Sequence, residues 1–209
     1  MLRIVPYPHP ALRYESRPVT RIDDALRACV REMFALMYAH KGIGLAANQV
    51  ALPFRFFVLN LTADPEQKDQ ERVFINPEIV KRHSMLEEEE GCLSFPGLYA
   101  KVKRAKKIRV RYYDLDGNAR EADAEDLLSR AVQHETDHLS GKLFIDYLGP
   151  EAKAGVTPKV REFEAAFLQA QAGGEFPDDA EIRRRLEAMA DLGRVDPPGP
   201  NGQASGGPS

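Results

Sequence analysis

The chain has 209 residues, of which 43% are hydrophobic and 29% charged, a balance that fits an ordinary globular protein of one domain plus an appendage. Its 29 Lys and Arg against 32 Asp and Glu leave a formal net charge of -3. That argues against a general nucleic-acid binder or specific DNA binding, which would need a basic face to displace counterions.

The opening Met1–Pro10 lacks the unbroken apolar stretch of a signal peptide, and no apolar run approaches a membrane span. Two cysteines, Cys29 and Cys92, with no CxxC pair, favour a reducing compartment over a disulfide scaffold. The expected location is therefore the cytoplasm, with no membrane partner.

A first helix is expected from Asp23 or Asp24 to His40, capped by an Asp and ended by Gly42. Leu26, Val30, Met33, Phe34 and Met37 recur at three- and four-residue spacing and form its buried stripe. Cys29 borders that stripe and reads as a small core hydrophobe. The small residues of Gly42–Ala47 then suggest a loop whose backbone approaches a ligand closely, followed by Gln49, an amide donor.

Phe54–Leu61 reads as a strand, and Val73–Asn76 as a shorter one stopped by Pro77. Within Glu87–Glu90 the first three carboxylates read as a solvated segment, whereas Glu90 abuts Gly91-Cys92. Lys107–Tyr113 alternates with Ile108, Val110 and Tyr112 on one face, and Asp116-Gly117 turns the chain into a returning strand at Ala119–Ala124. These are antiparallel signals, since no helix separates one strand from the next.

A second helix is expected over Ala124–Leu139, ending at Gly141. Leu127, Ala131, His134 and His138 fall on one face at steps of four, three and four. His134-Glu135-Thr136-Asp137-His138 is an HExxH pattern: two imidazoles one turn apart can grip one divalent metal, and the glutamate can serve as general base. Two buried imidazoles without a partner would be costly, which favours the metal.

A hydrolytic site needs a third protein ligand and an open position. No third histidine follows His138, and Asp146 lies past the glycine that ends the helix. The Cys92 thiolate is the alternative, and it suits iron or zinc better than magnesium. The amide of Gln49 and the backbone N–H of Leu93 can serve a developing oxyanion.

Beyond Asp146 a helix is expected to open at Thr157-Pro158 and run to Ala172, with Val160, Phe163 and Phe167 on one side. Another follows at Asp178–Leu192, carrying Ile182, Leu186 and Met189. The Pro- and Gly-rich end is expected to be disordered. The divisions are 1–149 as catalytic domain, 150–192 as helical extension and 193–209 as tail. Removing the extension is expected to cost stability and to spare turnover of short peptides, since the catalytic candidates lie between Gly44 and His138.

Three segments, in order, resemble the motifs of bacterial peptide deformylases: Gly42–Gln49 (GxGLAAxQ), Glu90–Ser94 (EGCLS) and Gln133–Gly141 (QHExDHLxG). The likeness extends to Tyr7-Pro8, Asn76-Pro77 and Gly141–Phe144, and so covers Met1 to Leu148. It implies removal of the formyl group from N-formylmethionyl nascent chains, with release of formate. It implies Fe(II), commonly replaced by zinc or nickel, held by Cys92, His134 and His138. Glu135 is the implied proton carrier; Gln49 and the Leu93 N–H would stabilise the tetrahedral intermediate. Gly44 would lie near the formyl end, with Ile43, Glu90, Leu127 and Ala131 near the methionine pocket. Arg130 is expected to lay its stem along that pocket and extend its head to solvent. The expected fold is α+β: antiparallel β-sheets packed around a central metal-binding helix, with a helical C-terminal extension and transient ribosome contact. The rivals are an HExxH peptidase cutting internal bonds and a non-catalytic, metal-stabilised ribosome-associated module.

Overall fold

The computed structural model describes residues 1–195, so most of the expected tail lies outside the described residues. The fold is α+β. Helix α1 (Asp24–Ala39) precedes the strands β1 (Gly44–Ala46), β2 (Phe56–Leu59), β3 (Arg72–Cys92), β4 (Phe95–Tyr113) and β5 (Ala119–Glu125). Then come helices α2 (Asp126–His138), α3 (Pro150–Ala172) and α4 (Asp179–Asp191). The strands form one antiparallel sheet in the order β1-β2-β3-β4-β5, a single sheet among the described residues where several were expected. Among the described residues no helix is long and apolar enough to cross a membrane.

Helix α1 starts where the sequence places it, with the Asp23 carboxylate accepting from the Leu26 N–H at 3.1 Å. Its stripe of Leu26, Cys29, Val30, Met33, Phe34 and Met37 is buried. The left-handed residue that ends it is Lys41 (φ 57) rather than Gly42.

The expected stop at Pro77 does not occur. β3 runs on to Cys92 because the register against β4 shifts between Ile75 and Glu78, leaving Asn76 and Pro77 unpaired in the ladder. A bulge needs no N–H from its extra residue, so proline costs the sheet little there. The payoff is length: the β3–β4 hairpin ends in a tight turn, with Cys92 paired to Phe95. That turn delivers Cys92 to the far end of the sheet.

Helix α2 packs against all five strands and carries the HExxH residues on its inner face, with His134 and His138 buried. Its end is fixed by Gly141 (φ +66), where an added Cβ would sit 2.6 Å from the Arg13 carbonyl oxygen.

Helix α3 begins at Pro150, well before the expected Thr157-Pro158, and holds Pro158 inside it. Proline removes its own rung of the ladder and crowds the carbonyl of Ala154, but that carbonyl is in an exposed stretch where it can tilt outward and water can serve it. α3 and α4 do not form a separate body. Phe167, Phe176, Ile182 and Leu186 share one apolar cluster with Val5, Leu12, Phe95 and Phe144. Val195, within the expected tail, is buried against the cluster around α1.

Candidate metal centre and its cavity

Sγ of Cys92 and one ring nitrogen each of His134 and His138 lie within 4.8 Å of one another, brought together from the end of β3 and the inner face of α2. Cys92 Sγ stands 3.4 Å from His138 Nε2. The His134 ring meets the Glu90 carboxylate through Nδ1 at 3.1 Å, so its Nε2 is the nitrogen left for a ligand. His138 Nδ1 is buried without a partner, while its Nε2, which faces the Cys92 thiol, is the nitrogen placed to hold a metal. One thiol and two imidazoles are the donor set for a borderline or soft divalent metal, and the residues fit one.

Glu90 is more central than its expected place beside a methionine pocket. Burial would raise its pKa, but hydrogen bonds from His134 and Arg104 outweigh that and hold it at about 2. Arg104 grips both carboxylate oxygens, at 2.8 and 3.1 Å, and also pairs with Asp137. Burial pulls Arg104 down, but its bonds to Glu90 and Asp137 carry it above its ordinary value.

Arg130 departs from expectation. Its head does not reach solvent: the residue is buried, and Nη1 donates to Glu90 at 2.7 Å and to the Val102 carbonyl at 3.0 Å. Three more donations go to Glu88 Oε2, the Glu88 carbonyl and the Leu86 carbonyl. With Glu90 so close, a buried guanidinium costs less than stretching out of the fold.

Glu135 is buried, and its Oε2 has no partner. Burial raises its pKa to about 7, the charge of His134 pulling the other way. A carboxylate with that pKa both accepts and returns a proton near neutrality. Burial also lowers His138, helped by the charge of His134; His134 itself is raised, because bonds to Cys92 and Glu90 outweigh its burial.

The Gln49 amide is aimed by its own loop. Oε1 accepts the Ala46 N–H at 2.8 Å, which turns Nε2 toward Cys92 Sγ at 3.4 Å and Ser94 Oγ at 3.5 Å. Gly44 has no room for a side chain: an added Cβ would lie 2.5 Å from Glu135 Oε1 and 2.6 Å from Leu59.

A cavity of about 540 Å³ is lined by Ile43, Gly44, Gln49, Glu90, Cys92, Leu93, Leu127, Ala131, His134 and Glu135, which is every candidate except His138. Ala131 is buried in its wall, while Leu127 stands exposed at its mouth. A larger cleft, about 840 Å³ between α1 and the β4–β5 turn, holds none of them. Asp146, the alternative third ligand, is occupied elsewhere, pairing with both Arg13 nitrogens and accepting the Leu143 N–H.

A family model described as polypeptide deformylase matches residues 1–154. The chain belongs to the peptide deformylase family. A peptide deformylase of Rhodopirellula baltica is 42% identical over 191 residues, 90% of this chain and 94% of that one. One of Acidobacterium capsulatum is 47% identical over 163 residues, 78% of this chain and 95% of its own. A crystallised deformylase of Plasmodium falciparum superposes with a TM-score of 0.78 at 43% identity, covering 80% of this chain and 98% of that one. Deformylases are metal-dependent hydrolases acting on the formylated N-termini of new chains, the activity that the three sequence motifs imply.

Sequence reasoning missed Arg104 and Ser94. Arg104 has the same strand parity as Val102 and Leu98, both buried, so the alternation of β4 marked an inward arginine in need of an acid. Ser94 closes the EGCLS segment but was given no role, because its bond from Gln49 depends on a distant loop.

Proposed function

We infer that this protein removes the formyl group from N-formylmethionyl peptides, with Cys92, His134 and His138 as the metal ligands. The observation that carries the reading is the convergence of these three donors beside a buried, unpartnered Glu135 in one cavity. When bound, the metal supplies Lewis acidity at the formyl carbonyl and favours deprotonation of the attacking water. Glu135 takes that proton and hands it to the departing amine, so one group serves as base and then as acid. Gln49 Nε2 and the Leu93 N–H donate to the oxygen of the tetrahedral intermediate. Glu90, paired with Arg104 and Arg130, holds the His134 ring through Nδ1 and leaves Nε2 as the nitrogen that would hold the metal.

The substrate's size follows from the walls. Gly44 is pressed between Glu135 and Leu59 with no room for a side chain, and a tight wall there would suit a formyl group, which carries only hydrogen on its carbonyl carbon. Ile43, Leu127 and Ala131 supply the apolar side of the slot for methionine. Fe(II) is the proposed native metal, with zinc or nickel able to replace it, and the reduced cytoplasm is where a thiolate ligand and nascent chains meet. Transient ribosome contact belongs to the same reading; on α4 the residues Arg183, Arg184 and Arg185 are exposed, and Arg184 and Arg185 pair with Glu181.

Formate release from a formyl-Met tripeptide tests the reaction. The reading expects formate and a free amino terminus, with an acetyl-Met analogue left intact. Cutting of an internal bond in place of formate release would favour the peptidase instead.

A further inference from the structure

The turn that carries Cys92 is held from behind by an aromatic cage, and the last wall of that cage comes from the C-terminal extension. Phe95, three residues after Cys92, is fully buried. Its ring stacks on Tyr7 at 4.7 Å and meets Phe144 and Phe163 edge-on at 5.3 and 5.8 Å. Tyr7 is itself tied at both ends. Its N–H donates to the Ser94 carbonyl at 3.0 Å, and its hydroxyl donates to Glu164 at 3.3 Å.

Phe163 and Glu164 are neighbours on α3, beyond residue 154, where the family model ends. The alignment with the Rhodopirellula baltica protein spans 90% of this chain, and any placement of so long a stretch includes α3. The cage also reaches the cavity itself. Phe95 lines its wall, and Phe144 lies 6.3 Å from the His134 ring.

We propose that Phe163 and Glu164 are positioning residues for the metal centre: through Phe95 and Tyr7 they fix the Cys92–Phe95 turn, and with it the thiol facing His138. Aromatic pairs of this geometry hold an angle as well as burying area. A ligand displaced by a fraction of an ångström weakens a metal site, and residues that orient ligands typically contribute about 10–100-fold in affinity. The inference rests on the metal reading given above. It differs from the sequence expectation, in which removing the extension costs stability and spares turnover of short peptides.

The test uses the full chain and zinc as probe, with affinity measured by competition against a chromophoric chelator, and kcat and KM measured on a formyl-Met peptide. Phe163→Ala should weaken zinc binding by about tenfold or more and lower kcat more than it raises KM. Phe163→Leu, which refills most of the space, should recover a large part of both. Tyr7→Phe, which keeps the stack and removes the hydroxyl's bonds to Glu164 and Arg13, should show a smaller loss of the same kind. Phe167→Ala is the control. Its ring touches His9 and Phe176 rather than Phe95, so it should lower the melting temperature while leaving zinc affinity and kcat within about twofold.

Zinc affinity unchanged in folded Phe163→Ala overturns the proposal. So does an equal loss of zinc in folded Phe167→Ala, which would mean that any weakening of the extension suffices. Should either alanine variant fail to fold, Phe163→Leu and Tyr7→Phe decide the matter by the same two readouts, and no change in either overturns it. If the unsubstituted protein releases no formate, the deformylase reading fails separately, and the zinc comparison still judges the cage.

Discussion

Acidification gives a quantitative test of how the extension is seated on the N-terminal segment. His9 is 5% exposed, with its ring edge-on to Phe167 at 5.8 Å and Phe176 at 5.5 Å. Nδ1 accepts the Ala11 N–H at 3.2 Å, which leaves the proton of the neutral ring on Nε2. Burial, aided by Arg3 and opposed by Asp179, pulls the pKa from 6.5 to about 4. Because the folded value lies below the unfolded one, folding favours the neutral ring. This contribution is fully present above pH 6.5, is lost as pH falls toward about 4, and is flat below that. The gap corresponds to about 3 kcal/mol at most, of which about 2 kcal/mol is gone by about pH 5. Urea unfolding at about pH 7.5 and about pH 5 should be compared for the unsubstituted chain and His9→Asn, whose side chain can still accept from the Ala11 N–H. The unsubstituted chain should lose about 2 kcal/mol more than the variant over that interval. Equal losses in the two proteins would refute the claim that His9 is held neutral under the extension.

Three substitutions probe the centre itself. Glu135→Gln keeps the shape and removes the proton carrier, so metal content should hold while kcat falls by about 10²–10⁴-fold; near-normal turnover would remove Glu135 from its role. Cys92→Ser replaces a thiolate with a harder, normally protonated hydroxyl, and metal should be lost on dialysis against a chelator; unchanged stoichiometry and activity would mean that the third ligand lies elsewhere. Gly44→Ala drives a methyl into the Glu135 carboxylate and Leu59, so kcat should drop at least about tenfold with the melting temperature moving by a few degrees; an active variant would show that Glu135 has room to shift.

What the sequence made legible was whatever depends on local spacing. His134 and His138 had to share a helix face, and Cys92 was the one thiol near enough in composition and context to join them. Long-range partners were not legible. Pro77 reads as a strand stop because the bulge that excuses it exists only once β4 lies alongside. Pro158 reads as a helix start because nothing local says that the preceding turns are already helical. Arg130 was expected at the surface because its acceptors, on Leu86, Glu88, Glu90 and Val102, come from two strands distant in sequence. The same reason hid the cage around Phe95, whose walls are drawn from residues 7, 144 and 163.

The central claim is that one metal held by Cys92, His134 and His138 makes this chain a deformylase. It is tested most directly by stripping the protein anaerobically, titrating Fe(II) back, and following formate release from a formyl-Met peptide against bound metal. The account predicts activity rising in proportion to metal and levelling at about one equivalent per chain. Full formate release by metal-free protein, or none from protein carrying one equivalent of Fe(II), would contradict it.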